Sequence, residues 1–284
     1  MFDYNRAFSR NLGWVTETEQ QQLKHFKVAI AGLGGVGGEH LLTLCRLGVQ
    51  RFSLADFDQF DVHNFNRQAG ANIHTVDEDK LAVMARMAAE INPDAELTCF
   101  EQGVTAENVD AFLADADIYV DSLDFFALDA RKLLFKRCEE LGIPVVTAAP
   151  LGMGCAFLSF MPGKMSFEQY FCFENHSREE QLLRFLVGVS PAMLQRDYLV
   201  DDSRVNFREE RGPSTAMAVK LCSGIAITNT LKILLKRGPV ISAPYGIHFD
   251  AYRNKFTKTW RPFGNKGLLP RIMLFIARRI VLKK

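Results

Sequence analysis

Lys27-Val-Ala-Ile-Ala-Gly32-Leu-Gly34-Gly35-Val-Gly37-Gly-Glu-His40 is the stretch from which the fold can be read. Its first five residues form an apolar run of strand length that stops at a glycine, and Glu39 to Leu47 behind it carries apolar residues at helical spacing. The order is strand, glycine turn, helix. Glycine at positions 32, 34, 35 and 37 lets the backbone approach an anion and aims the first N–H groups of the helix at it. Arg51 to Ala55 reads as a second strand ending at Asp56, 19 residues after Gly37, where an acid can accept hydrogen bonds from ribose hydroxyls. This spacing predicts a nucleotide site. The same turn could join a strand to a helix with no ligand, and glycines alone do not distinguish NAD, FAD and ATP.

Outward from this unit the alternation continues. Lys80 to Ile91 has helical spacing closed by Asn92-Pro93, Glu96 to Glu101 reads as a third strand, and residues 106 to 114 as a helix. Asp117 to Asp121 is a fourth strand, Ala127 to Leu141 a helix ending at Gly142, and Pro144 to Ala148 a fifth strand. Such an order implies an α/β fold, a Rossmann-like, doubly wound and mostly parallel sheet with helices on both faces. Beyond Pro150 the period changes: Cys155 to Met161 could be a further strand, and 162–213 lacks sustained periodicity and reads as an irregular insertion. Ser214 to Lys236 is a long apolar-rich helix stopped by Gly238-Pro239, and Gly246 to Tyr252 with Lys255 to Trp260 is a hairpin turning at Arg253-Asn254. The expected organisation is a single domain over 1–266, its nucleotide-binding part within about 1–160, followed by a basic amphipathic C-terminal tail helix over 267–284.

With 284 residues and 48 % hydrophobic content the chain is too apolar for intrinsic disorder. Its 34 Lys and Arg against 33 Asp and Glu exclude polyanion binding through global charge. The balance hides a division. After Asp250 there are ten basic residues and no acidic one, leaving 24 basic against 33 acidic residues before it, so a body of about −9 carries a stretch of +10. That tail is expected to dock on the acidic body or across a dimer, the alternative being peripheral contact with a membrane or with RNA. Met1 to Glu19 lacks the apolar core of a signal peptide, so a cytoplasmic location is expected. The six cysteines include no C-x-x-C pair, which argues against a zinc ribbon and a disulfide framework. Cys155 and Cys172 are candidates for thiol chemistry only because they lie beyond the sheet core.

Asp56-Phe-Asp58-Gln-Phe-Asp61-Val-His63-Asn64-Phe-Asn66-Arg67-Gln68 places acids, amides and an arginine just past the second strand, where a dehydrogenase would enter a helix. This run resembles the D-x-D…N-x-x-R-Q signature of the ThiF/MoeB/HesA family of adenylating enzymes, related to the ubiquitin-activating enzyme. Tyr4-Asn5-Arg6 is similar to the family's N-terminal arginine motif, Lys80 to the lysine opening the next helix, and Asp121-Ser-Leu-Asp124 to its aspartate motif. The resemblance covers residues 1 to about 160 and, more loosely, 212 to 260. It implies an ATP-dependent adenylyltransferase. A carboxylate, at the C-terminus of a ubiquitin-like or sulfur-carrier protein or of a peptide, would attack the α-phosphorus of ATP to give an acyl-adenylate and pyrophosphate.

By the same resemblance Asp124 holds Mg²⁺, Asp56 binds the ribose with Asp58 beside it, Asn64 and Arg67 contact phosphates, and Arg6, Arg67 and Lys80 supply positive charge for catalysis, with the glycines Gly32, Gly34, Gly35 and Gly37 lining the nucleotide. In relatives the N-terminal arginine reaches into the partner subunit's site, which implies a homodimer. The aspartate motif usually reads T-D-N, whereas Leu123-Asp124-Phe125 stands here, so the small polar neighbours are lost. The C-x-x-C pairs of many relatives are missing, which points to a zinc-free branch with no zinc expected. Asn64 to Gln68 is also similar to the tRNA threonylcarbamoyladenosine dehydratase branch, which would make tRNA the partner. An NAD-dependent oxidoreductase leaves Arg6, Arg67 and Lys80 unexplained, and a non-catalytic scaffold has Phe125 as its one hint.

Overall fold

Lys27–Ala31 forms β1 with four of its five residues buried, and around it the computed structural model, which describes residues 1–205, 209, 210 and 212–281, builds an eight-stranded sheet. The flanking parallel strands are β2 (Arg51–Ala55), β3 (Glu96–Phe100), β4 (Ile118–Asp121) and β5 (Val145–Leu151). Three antiparallel strands, β6 (Gly154–Phe160), β7 (Tyr245–Asp250) and β8 (Lys255–Trp260), complete the order β3-β2-β1-β4-β5-β6-β7-β8. The fold is Rossmann-like α/β.

The helices in chain order are α1 (Tyr4–Ala7), α2 (Glu17–Leu23), α3 (Gly35–Leu47), α4 (Lys80–Ile91), α5 (Val109–Leu113), α6 (Leu128–Leu141), α7 (Phe167–Phe171), α8 (Arg178–Val189), α9 (Ala216–Leu234) and α10 (Leu268–Val281). Because strand side chains alternate, each sheet face holds its own core. On one side Val28, Ile30, Phe52 and Leu54 pack with Leu41, Leu44, Met84, Cys222 and Ile227 of α3, α4 and α9. On the other, Ala29, Ala31 and Tyr119 pack with Phe112, Leu134, Phe135, Phe171 and Phe185 of α5 to α8. By length and composition α9 could cross a membrane, but it is half buried against α3, β5 and β6.

One part differs from the sequence reading, and the tail does as expected. The segment expected to be irregular contains α7 and α8, each begun by a serine whose hydroxyl accepts a backbone N–H, Ser166 from Gln169 and Ser177 from Glu180. Their periodicity is short, but Leu182, Leu183 and Phe185 supply a buried side for α8; residues 206–208 and 211 of that segment lie outside the described residues. The tail helix packs on the chain's own body. Leu274, with Met273 and Ala277, meets Leu183 and Val187 of α8, and Arg278 closes an ion pair with Glu180 at 2.6 Å. Residues 282–284 of the tail lie outside the described residues.

Candidate nucleotide and adenylation site

The sheet reverses its winding at β1, between β2 and β4, and the crevice at the carboxyl ends of these strands is where such folds bind ligands. The helix α3 starts at Gly35, four residues earlier than its apolar spacing suggests, so its N-terminal N–H groups rise directly out of the glycine turn. Two glycines are sterically required. Gly32 has φ +86° and a Cβ there would strike the Ser122 carbonyl, while a Cβ at Gly37 would strike the carbonyl of Gly32. At Gly34 and Gly35 a Cβ would meet side chains and not backbone, Gln68 at 3.5 Å for the one and Val219 at 3.2 Å with Arg67 at 3.9 Å for the other, so these two are less tightly constrained.

Asp56 braces this turn. Its buried carboxylate accepts the Leu33 N–H at 2.5 Å through Oδ2 and the Asp58 N–H at 2.9 Å through Oδ1, and burial raises its pKa. Asp58 in turn takes the Lys80 ammonium at 2.9 Å, and that lysine is only 8 % exposed. Asn64 is buried and spends its Oδ1 on the Asp61 N–H at 3.0 Å, shaping the short turn that presents Arg67. The Arg67 guanidinium donates to the His63 carbonyl at 3.0 Å and to Asn66 Oδ1 at 2.8 Å. Burial lowers its pKa and the nearby Asp124 carboxylate opposes that effect, while the Arg67 stem passes beside Gly35, 3.9 Å from where a Cβ there would stand. Asp124 is exposed, with Oδ1 accepting the Phe126 N–H at 2.9 Å.

The crevice therefore gathers Gly32, Gly34, Gly35, Gly37, Asp56, Asp58, Asn64, Arg67, Lys80 and Asp124. Arg6 is not among them. Its helix α1 is pinned by the Tyr4 hydroxyl, 2.8 Å from the carbonyl of Gly48, and Gly48 caps the far end of α3. Thirteen helical residues put that cap about 20 Å from the glycine turn. Arg6 is solvent-exposed there.

Two residues absent from the sequence reading hold the loop that carries Asp124. Arg131, nearly buried, donates from Nε to Asp121 at 2.9 Å and from its two other nitrogens to the carbonyls of Leu123 at 2.7 Å and Asp124 at 3.1 Å. His40 Nδ1 lies 2.9 Å from Ser122 Oγ, and complete burial holds the imidazole at about 4, so it is neutral at physiological pH. An arginine placed among the apolar positions Leu128, Leu134 and Phe135 of α6 was a readable signal for a buried partner. Cys155 and Cys172 are both buried, Cys155 beneath α9 beside Cys222 and Cys172 at the end of α7, so neither thiol is presented to a substrate.

Among the described residues no group of three or more Cys, His, Asp or Glu side chains is placed to hold a metal ion. Asp124 is a single exposed carboxylate at a strand end, the kind of donor that joins a Mg²⁺ already carried by phosphates.

The model of the family described as ThiF matches residues 8–266. The chain belongs to the ThiF family. Among curated proteins it is 33 % identical over 143 residues to the sulfur carrier protein ThiS adenylyltransferase of Escherichia coli K12, covering 50 % of this chain and 56 % of that protein. It is likewise 33 % identical over 142 residues to the tRNA threonylcarbamoyladenosine dehydratase of Bacillus subtilis 168, covering 50 % and 55 %. Protein HesA of Leptolyngbya boryana is 30 % identical over 148 residues, covering 52 % and 53 %. Thus the chain spans about half the length of the curated relatives it matches. In fold it is similar to E. coli MccB, with a TM-score of 0.70 and 20 % identity in the structure with MccA, covering 95 % of this chain and 76 % of that one. Against MccB with ATP the TM-score is 0.65 at 19 % identity, covering 89 % and 69 %.

Proposed function

We propose that this ThiF-family chain binds ATP over the glycine turn and activates a carboxylate as an acyl-adenylate, releasing pyrophosphate. The observation that carries the reading is the pairing of cations with the glycine turn: Arg67 passes beside Gly35, and Lys80 is buried on Asp58 at 2.9 Å. A dinucleotide's pyrophosphate carries only about two negative charges, whereas a triphosphate of about four makes the heavier demand on such cations. In the proposed step a carboxylate oxygen bonds to the α-phosphorus as the bond to the bridging oxygen of the β-phosphate breaks. Arg67 and Lys80 offset the charge that moves onto the leaving pyrophosphate. Asp56 takes the ribose hydroxyls, and the N–H groups at the start of α3 take phosphate oxygens. Asp124 would hold Mg²⁺, which supplies further charge neutralisation to the phosphates.

Arg6 completes the site of a second subunit, since it sits at the wrong end of α3 to reach its own, and the working unit is a homodimer. The carboxylate is the C-terminus of a small carrier protein or a peptide, in keeping with the ThiS adenylyltransferase among the relatives and MccB with MccA among the structures. A tRNA-linked carboxylate is the second reading, favoured by the dehydratase relative at the same identity. With Cys155 and Cys172 buried, the adenylate passes to an external nucleophile rather than to either of these thiols. ATP–pyrophosphate exchange with candidate carrier proteins, peptides and tRNA tests the proposal. The expected result is exchange with one of these classes, unchanged by Cys155→Ser or Cys172→Ser. Tighter binding of NAD than of Mg·ATP, with Arg67→Ala leaving ATP binding unaltered, would overturn it.

A further inference from the structure

We infer that the outer face of α10 seats on an anionic lipid surface. The helix is apolar on two sides. Met273, Leu274 and Ala277 are used against α8, and Arg278 is tied to Glu180, which fixes the helix to the body. The opposite side presents Leu268 at 77 % exposure, Phe275 at 51 % and Ile272 at 48 %, with Ile276 beside them. That strip runs into a groove of about 430 Å³ whose lining includes Trp260, Phe263, Leu268 and Leu269, with Trp260 and Phe263 themselves 63 % and 71 % exposed. A solvated helix has no reason to turn such a row outward.

Charge selects the occupant. Lys266, Arg271 and Arg279 are exposed along the same strip, and no acidic residue follows Asp250. The Arg279 guanidinium lies over the exposed Phe275 ring, 4.2 Å from its centroid, so a cation stands directly on the apolar strip. A second copy of this chain is a poor fit, because the strip carries Arg271 and Arg279 and no acid, so a two-fold contact through it would bring only like charges together. Aromatic and aliphatic side chains between cations suit the boundary of headgroups and acyl chains of an anionic leaflet. The fourteen residues of α10 reach about 21 Å, short of a hydrocarbon core of roughly 30 Å, so the helix lies along the surface.

Sedimentation of the full chain with vesicles of phosphatidylcholine alone, and of phosphatidylcholine and phosphatidylglycerol in equal parts, tests the inference. Binding to the mixed vesicles alone is expected, weakening as salt rises. The double variant Ile272→Glu with Ile276→Glu should bind them at least about tenfold more weakly while melting as the parent does, because both side chains are exposed. Equal binding to both vesicle types, no binding to either, or unchanged binding by the variant would overturn the assignment. So would a change in oligomeric state of the variant without vesicles, seen by light scattering, since the strip would then be an interface between copies.

Discussion

Asp121 and Asp124 stand three positions apart on one strand end and do opposite work. Asp121 is fully buried, takes the Arg131 guanidinium at 2.9 Å and the Thr147 hydroxyl at 2.8 Å, and lies beneath the crevice. Asp124 is exposed on the loop above it, near Arg67. Removing Asp121 would leave a buried guanidinium without its counter-charge, a change of about 3–5 kcal/mol. Asp121→Ala should therefore melt well below the parent and lose activity as a consequence. Asp124→Ala should melt as the parent does and abolish pyrophosphate exchange, since it removes one turn contact and the proposed metal ligand. Parallel melting curves and exchange assays decide it; an Asp124→Ala variant with full exchange would show that the wrong aspartate has been given the metal. The two acids cannot be told apart in the sequence, where both stand in Asp-Ser-Leu-Asp, because what separates them is Arg131, ten residues along the chain and brought over by the packing of α6. His40 is hidden for the same reason, its partner Ser122 lying 82 residues away.

At the scale of elements, the strand β1, the glycine turn and α3 behave as one device, and its glycines divide by steric role. Gly37→Ala would drive a methyl into the Gly32 carbonyl, so the turn itself must open; the variant should lose both stability and nucleotide binding. At Gly35, the first residue of α3, the same change needs Val219 to give by only a few tenths of an ångström. Gly35→Ala should therefore melt within a few degrees of the parent yet bind ATP about tenfold more weakly, since its methyl, pressed on Val219, displaces the first turn whose N–H groups take the phosphates. Calorimetric titration beside thermal melting separates the two, and equal ATP affinity of Gly35→Ala and parent would remove the phosphates from this turn. The same contrast explains which elements are legible. The bounds of β1, β2 and α4 are identical to those read from the chain, because apolar runs there are punctuated by Gly32, Asp56 and Asn92-Pro93. The short helices α1, α2 and α7 offer fewer than two full turns of periodicity, and their start signals are single capping side chains, Asp3, Thr16 and Ser166.

For the whole molecule the open question is how Arg6 contributes, since α1 is fastened by Tyr4 to Gly48 at the end of α3 remote from the glycine turn. The proposed service of Arg6 to a second subunit's nucleotide has a signature no single-chain site can imitate. Arg6→Ala and Asp124→Ala should each lose exchange when prepared alone. In a mixed dimer, the Arg6→Ala subunit keeps its own Asp124 and receives Arg6 from its partner, so one of the two sites is complete. The other site lacks both groups. After subunits exchange at equal concentration, half of the dimers are mixed and one site in two is restored within them, so activity should recover to about a quarter of the parent's. If Arg6 acted within its own chain, every subunit would lack one essential group and mixing would restore nothing. Full activity of Arg6→Ala alone would remove the arginine from the mechanism altogether, leaving Arg67 and Lys80 as the cations of the site.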